Sequence, residues 1–366
     1  MLRLHWQSPQ KALWLCATLG GVLALGALLV GTVPVAAWAG ELQVAGEPTV
    51  LRHPYINKSI GNPVHALVFL DEGKTLATAA TSGVLIWDVA SGKLQQTLEV
   101  DERAVDALAL APGGKRLVAG GAAGTIKIWD ARSLKLLHTL GPTPGAVRGL
   151  AISPDGSTLA SASPNGQLGE LDEQFAILLW NLSTGEKLRT IPHPPPVFGT
   201  TVLAYTADGR QIVSAQDRTF RVLDAQQGIV EKVVAVPQLP RTLGCIAMRA
   251  DGRHLATGVF EPKVRVWDTS SWKETTSWIA HHEETPPRQG VAAIAYSPDG
   301  RLLLTGGMDG MVSVWEAASG RQLLHVDGRG EASGGRVTGV TITLDNRLLA
   351  ASHFGGSATV WRLTEK

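Results

Sequence analysis

Histidines and carboxylates come closest together at residues 281–288, which read His-His-Glu-Glu-Thr-Pro-Pro-Arg. Imidazole and carboxylate groups are zinc ligands, so a metal site is one interpretation of this stretch. However, neighbouring residues of an extended loop cannot easily all face one ion, and no third ligand is assigned. A structural role for one histidine and a solvated loop are the other interpretations. We predict no metal ligand.

A second acidic stretch lies at residues 165–175 and contains Glu170, Asp172 and Glu173. It could be a docking loop or a cation site, but three acids without fixed spacing do not define a calcium cage. We interpret it as a solvated insertion. A third unusually long loop, residues 327–336, is rich in glycine. None of these loops contains a recognisable nucleophile and base, so we predict no catalytic residue and no cofactor.

Composition excludes some partners. The chain has 366 residues and a formal net charge of +1, which gives no reason to expect nucleic acid or an anionic membrane surface as a partner. Of the two cysteines, Cys16 lies in an apolar N-terminal run, so the remainder holds only Cys245 and cannot form an internal disulfide. We predict that Cys245 is buried and inert.

A short phrase organises the rest of the chain. Residues 121–130 read Gly-Ala-Ala-Gly-Thr-Ile-Lys-Ile-Trp-Asp, a turn followed by an alternating strand that ends in an aromatic residue and a carboxylate. Variants of this phrase occur seven times, and we interpret the aromatic and acidic residues as structural. The residues so assigned are Trp87, Asp88, Trp129, Asp130, Trp180, Trp267, Asp268, Trp315 and Trp361.

Each copy belongs to a unit of four short strands separated by tight turns. The first turns carry Pro, Asp and Gly at positions that suit type I turns, and they recur at intervals of about 41 to 53 residues. Four-stranded units at this period are typical of propeller blades. Residues 49–363 resemble the WD-repeat β-propeller family. The prediction is therefore an all-β chain, with seven blades of four antiparallel strands.

The resemblance also implies how the ring closes. In that family the last blade is completed by a strand from the opposite end of the chain, and here the seventh repeat lacks its fourth strand. We predict a linker at residues 40–47 and a propeller at 48–366, with residues 48–53 closing the last blade. Closure would remove an exposed sheet edge.

The sequence departs from the family in its hydrogen-bond networks. Family blades often contain a tetrad of His, Ser or Thr, Asp and Trp, but most second turns here lack the Asp. Only blade six could be complete, with His281 or His282 beside Thr305, Asp309 and Trp315. Blade four has Leu223 in place of the tryptophan, so packing should stabilise the ring more than these networks do.

The N-terminal segment, residues 1–39, is predicted to be an apolar helix that serves as a signal peptide or a membrane anchor. Arg3 and Lys11 precede an uncharged run, and residues 12–33 are about long enough to span a membrane. Residues 37–39, Ala-Trp-Ala, also fit a cleavage site after Ala39. Both alternatives place the propeller outside the cytoplasm, in the periplasm, in the extracellular space or tethered to a membrane.

The function predicted from these features is non-catalytic protein binding by a monomeric scaffold, through loops at the propeller rim. The protein partner is unknown, no nucleic acid is expected, and membrane contact is expected only through an uncleaved N-terminus. Candidate contact residues are Arg241, Arg288, Arg336 and His282. The alternative is an exported propeller enzyme, a hydrolase or a cofactor-dependent enzyme. Carboxylates or histidines converging in the central channel would favour it.

Overall fold

The structure is a computed structural model. It describes residues 41–54, 62–100, 104–164, 175–192, 202–236, 243–259, 261–281, 290–328 and 335–366. The predicted signal or anchor helix at residues 1–39 lies outside the described residues. In the described part of the chain, no helix is both long and apolar enough to cross a membrane.

The described regular elements are β-strands, together with short 3-10 turns at Asp71–Gly73 and Pro112–Gly114. The strands, in chain order, are β1 (Leu42–Val44), β2 (Thr49–Arg52), β3 (Val64–Leu70), β4 (Thr75–Ala80), β5 (Gly83–Asp88), β6 (Leu94–Leu98), β7 (Val105–Leu110), β8 (Arg116–Gly121), β9 (Ile126–Asp130), β10 (Leu136–Leu140), β11 (Gly149–Ile152), β12 (Thr158–Pro164), β13 (Phe175–Asn181), β14 (Lys187–Pro192), β15 (Val202–Tyr205), β16 (Gln211–Gln216), β17 (Thr219–Asp224), β18 (Val230–Ala235), β19 (Leu243–Met248), β20 (His254–Val259), β21 (Glu261–Asp268), β22 (Lys273–Ile279), β23 (Val291–Tyr296), β24 (Leu302–Gly307), β25 (Met311–Glu316), β26 (Gln322–Asp327), β27 (Val337–Ile342), β28 (Leu348–His353) and β29 (Ser357–Glu365).

These strands form seven antiparallel sheets, and each sheet is one blade. Blade one is β3 to β6, and the blades follow in chain order up to blade seven, which contains β27 to β29. The first strand of every blade contacts the first strand of the next, and β27 of blade seven contacts β3 of blade one. The first strands therefore line the centre of a closed ring. The predicted all-β, seven-bladed propeller is confirmed.

Blade seven is completed from the N-terminal side. Strand β2 pairs antiparallel with β29, with Thr49 opposite Val360 and Leu51 opposite Ala358. Strand β1 pairs further along β29, with Val44 opposite Leu363. Residues 42–44 lie in the segment predicted to be a linker, and the structure corrects that prediction because β29 continues beyond the last repeat and offers them a free edge.

The strand-three tryptophans are buried between blades. Trp87 of blade one packs with Ala350 and Val360 of blade seven, and Trp129 of blade two packs with Leu108 and with side chains of blade one. Each tryptophan named in the sequence analysis is at most 6% exposed. Burial of an aromatic side chain contributes several kcal/mol at about 25 cal/mol per Å², so these residues hold neighbouring blades together.

The aspartate of the repeated phrase organises the following turn. The Asp88 carboxylate accepts hydrogen bonds from the backbone N–H and hydroxyl of Ser91, at 2.7 and 2.5 Å. Asp130 and Asp268 accept equivalent bonds from serines of their own turns. These bonds favour the ionised carboxylate, and they lower the pKa of Asp268 to about 2. A carboxylate at the strand end thus fixes the turn into the fourth strand.

Blade six holds a complete tetrad. His281 Nε2 lies 2.9 Å from Thr305 Oγ1, and its Nδ1 lies 3.1 Å from Asp309 Oδ2. Trp315 Nε1 donates to the same Thr305 hydroxyl at 2.9 Å. Both ring nitrogens of His281 are engaged within the protein, which is the arrangement of a structural histidine and not of a metal ligand.

Other blades contain only part of this network. In blade one, His53 Nε2 lies 3.0 Å from Thr78 Oγ1, and Trp87 donates to the same oxygen at 2.8 Å. His53 directly follows β2, so the closing strand also delivers a histidine to blade one. In blade five, Trp267 donates to Thr257 Oγ1 at 3.0 Å.

Replacing Thr305 by valine is expected to lower the free energy of unfolding by about 2–4 kcal/mol, because two buried groups, on His281 and Trp315, lose their partner. The matched Thr257→Val change leaves only the Trp267 N–H unpaired and should cost about 1–2 kcal/mol. Urea unfolding of both variants measures the difference. Equal losses would show that the His281 bond adds nothing to stability.

Candidate functional site

Polar residues gather where the first strands begin. Because successive strands of a blade run antiparallel, this end of the channel also carries the turns between second and third strands; we call it the mouth face. In blades one, two and seven the register slips by one residue near the start of the first strand. The extra residues at these bulges are His65, Asp106 and Thr338. Such bulges re-aim a side chain.

Arg148 occupies the corresponding place in blade three, directly before β11. Its backbone N–H donates to Ala162 O at 3.1 Å, and the preceding Val147 binds Gly121 O of blade two. Four consecutive blades, from seven to three, thus place a polar residue at one position of the channel entrance. We call His65, Asp106, Arg148 and Thr338, together with Arg336, the mouth cluster.

At this position of the channel entrance, the polar residues lie on one side of the ring. The equivalent bulge residues of blades five and six are Gly244 and Ala292, which have no polar side chain. The corresponding residue of blade four lies outside the described residues. At this position of the channel entrance, the described residues of blades seven, one, two and three are therefore polar, and those of blades five and six are not.

Burial sets the charge of the cluster. It lowers the pKa of His65 to about 4, with a smaller contribution from the nearby Arg336 guanidinium, so this imidazole is neutral at pH 7. Burial raises the pKa of Asp106 to about 6, although the Arg148 charge opposes that shift. At neutral pH the cluster therefore combines two guanidiniums, one carboxylate and one neutral imidazole.

Arg336 is held in place by an aromatic residue. Its guanidinium lies 4.6 Å from the centroid of the Phe354 ring, and the Phe354 backbone N–H donates to Arg336 O at 3.0 Å. Burial lowers the pKa of Arg336. A cation stacked on an aromatic ring is a typical component of protein-binding surfaces.

The far end of the channel has a mostly apolar lining, which also includes Arg249. A cavity of about 30 Å³ lies there between blades two to five, lined by residues that include Leu110, Ile152, Tyr205 and Met248. The described residues contain no group of three or more His, Cys, Asp or Glu placed to hold a metal ion.

The structure describes one of the four predicted contact residues. Arg336 lies in the mouth cluster. Arg241, Arg288 and His282 lie outside the described residues, as does most of each long loop singled out in the sequence. Cys245 is buried, and burial raises the pKa of its thiol to about 12. That shift disfavours the reactive thiolate.

Sequence reasoning missed His65, Asp106 and Arg148. A signal for them exists, because each follows a valine that opens a first strand or lies just before one, and each interrupts an otherwise apolar run. Aligning the repeats on that valine would have placed the three residues at one level of the ring.

Comparison with known protein families matches the model described as "WD domain, G-beta repeat" at residues 92–130, 134–168 and 272–316. The first and last matches begin near the final turn of one blade and end at the third strand of the next, so the repeats are staggered against the blades. No curated protein matches the chain. Together, the three matches and the closed ring of seven four-stranded blades show that the chain carries WD40 repeats in three places and folds as a seven-bladed β-propeller.

Proposed function

We propose that this propeller is a non-catalytic scaffold that works outside the cytoplasm and docks a protein partner at its mouth face. WD40 propellers generally bind other proteins and are generally non-catalytic. The location rests on the uncharged N-terminal run that follows Arg3 and Lys11. A monomeric ring fits the closure of blade seven by the chain's own strands.

The single observation that carries the docking proposal is the one-sided mouth cluster. Its charges, on Arg336 of blade seven, Asp106 of blade two and Arg148 of blade three, belong to a rigid ring, so a partner would meet them in a fixed arrangement. Partly desolvated charges give specificity and slow dissociation when a partner supplies the complementary group. The Arg336 and Phe354 pair offers a cation and an aromatic surface next to each other, and arginine is enriched among the residues that dominate binding energy.

Asp106→Asn and Arg148→Gln are expected to weaken partner capture by about tenfold or more, because each removes a partly buried charge. The test is crosslinking of the C-terminally tagged full chain in intact cells with a membrane-impermeant reagent, beside a permeant one. Arg210→Gln and Arg347→Gln, exposed at the opposite face, are the matched controls.

Capture of one partner by the parent and the controls, but not by the mouth variants, supports the proposal. Equal capture by every variant contradicts docking at the mouth. A partner seen only with the permeant reagent contradicts the location while leaving the docking surface in place.

The alternative of an exported propeller enzyme has one observation in its favour. Asp106, with a pKa of about 6, is suited to accept or donate a proton near neutral pH, and His65 lies at the equivalent position of the adjacent blade. A substrate turnover that disappears in Asp106→Asn would favour this alternative over the scaffold.

A further inference from the structure

Exposed apolar side chains concentrate on the outside of three consecutive blades. Ten large apolar side chains are exposed in the described part of the chain, and six of them lie in or next to the fourth strands of blades two, three and four. These six, which we call the outer wall, are Leu136, Leu137, Leu188, Ile229, Val230 and Val233. Their exposed fractions run from 43% to 55%. A concentration of exposed apolar side chains on neighbouring blades marks a candidate interaction surface.

Hydrogen bonds connect the fourth strand of each wall blade to the next blade. His138 Nε2 lies 2.9 Å from Ser183 O, Arg189 donates to Gln227 O at 3.1 Å, and Lys232 donates to Ser271 O at 3.0 Å. These three residues hold equivalent positions in β10, β14 and β18, each opposite the residue before the strand-three aromatic position. The first two bonds connect blades two, three and four, and the third connects blade four to blade five.

Glycine allows this close approach. Gly228 has a positive φ of 75°, and a Cβ there would lie 3.0 Å from Ile191 Cγ1 of blade three. A side chain at this turn would therefore push blade four away from blade three. Glycine at this turn therefore lets blades three and four approach each other closely.

Cations are interspersed among the apolar residues. Lys135 precedes Leu136, Lys187 and Arg189 flank Leu188, and Lys232 precedes Val233. Arg132 is also exposed at the turn before β10.

Fewer carboxylates oppose these cations. Glu186 and Glu231 are the exposed ones in these turns and strands, and Glu231 accepts a bond from Gln211. Asp130 and Asp224 are the other two carboxylates, and they accept hydrogen bonds from their own turns. Five cations against four carboxylates leave these turns and strands a net charge of +1.

The exposed apolar residues are sparser on both sides of the wall. In blade one, the exposed Leu94 is followed by Gln95, Gln96 and Thr97. In blade five the outer strand is mainly Lys, Glu, Thr and Ser before Trp278 and the exposed Ile279. Apolar side chains separated by basic ones match a bilayer interface, where the apolar groups enter the headgroup boundary and the basic groups meet anionic lipids.

We propose that the outer wall of blades two to four binds an anionic lipid surface, with its leucines and valines in the interface and Lys135, Lys187 and Arg132 at the headgroups. This surface is separate from the mouth cluster, and the proposal does not depend on the docking function. It also adds a second membrane contact to the one predicted at the N-terminus.

The test uses the full chain with vesicles of neutral phosphatidylcholine, or of the same lipid with phosphatidylglycerol. Hydrogen exchange of β10, β14 and β18 is expected to slow with the anionic vesicles and not with the neutral ones. Lys135→Gln with Lys187→Gln should weaken vesicle binding by about 30-fold at low salt. Serine at Leu137, Leu188 and Val233 should weaken it by about tenfold or more.

Matched controls keep the N-terminal segment constant. Leu344→Ser with Arg347→Gln changes an exposed leucine and an exposed arginine of blade seven, and this variant should bind as the parent does. Equal binding by the wall variants and the parent, or equal protection by neutral vesicles, overturns the proposal. Self-association without lipid that the serine changes abolish would also overturn it, because a second copy would then cover the wall.

Discussion

Deletion of residues 48–53 is expected to lower the melting temperature by about 10 °C or more. The deletion removes β2, which pairs with β29 and buries Leu51 completely. It also removes His53, whose ring bonds Thr78 inside blade one. The outer edge of blade seven would lose its pairing strand. The contact between blades seven and one would lose Leu51 from blade seven and the His53 ring that bonds inside blade one.

A milder version separates packing from closure. Leu51→Ala should cost about 2–5 kcal/mol, because Leu51 packs with Leu85 and Trp87 and its truncation leaves a cavity. Leu94→Ala, at an exposed leucine of the neighbouring blade one, is the control and should change stability little. Thermal unfolding by circular dichroism measures all three proteins. A deletion variant that melts with the parent contradicts closure by this strand.

The second large effect is acid destabilisation. Burial lowers the pKa of His53 to about 3 and the pKa values of His65 and His353 to about 4. A base whose folded pKa is depressed stabilises the fold fully above its unfolded value, near 6.5, and this contribution is lost as the pH falls. Asp106 acts in the opposite direction, since its raised pKa of about 6 favours the fold as the pH falls toward 4.

Near pH 5, unfolding lets three imidazoles take up protons and one carboxyl lose its proton, a net uptake of two. The free energy of unfolding should therefore fall by about 3 kcal/mol per pH unit between pH 6 and 4. His254 and His325, whose pKa values are also lowered by burial, act in the same direction. The carboxylates of the turns, such as Asp268, contribute only below about pH 4.

Two variants test the source of this slope. His53→Gln should make it shallower by about 1.4 kcal/mol per pH unit, and Asp106→Asn should make it steeper by a similar amount. Urea unfolding between pH 7 and pH 4.5 measures both. Parallel pH profiles for the parent and the His53 variant would mean that this imidazole titrates alike in the folded and unfolded states.

Local patterns were sufficient for the fold because every blade repeats them. The Trp129 phrase identifies a third strand, Asp130 identifies the turn after it, and the spacing gives four strands per unit. The strand around Gln43 could not be predicted from local patterns. Nothing in residues 42–44 marks a strand, and they become one only because β29 runs on beside them.

The blade-six network could be predicted only in part. The sequence named Thr305, Asp309 and Trp315 but left His281 and His282 as alternatives, because adjacent residues of a loop look the same to a spacing argument. The position of Thr305 in β24 decides between them for the structure, as His281 reaches it at 2.9 Å.

The amino-acid sequence by itself determined the repeat, the number of blades and the identity of the tryptophans that separate them. These depend on contacts that each unit makes in the same way. The pattern behind them therefore recurs in every blade, with Leu223 in place of the tryptophan in blade four. Only the tertiary structure decided which unrepeated residues meet. His65, Asp106 and Arg148 are about 40 residues apart in sequence, and Leu137, Leu188 and Val233 are similarly separated. Each set shares one surface because ring closure places equivalent positions of neighbouring blades side by side.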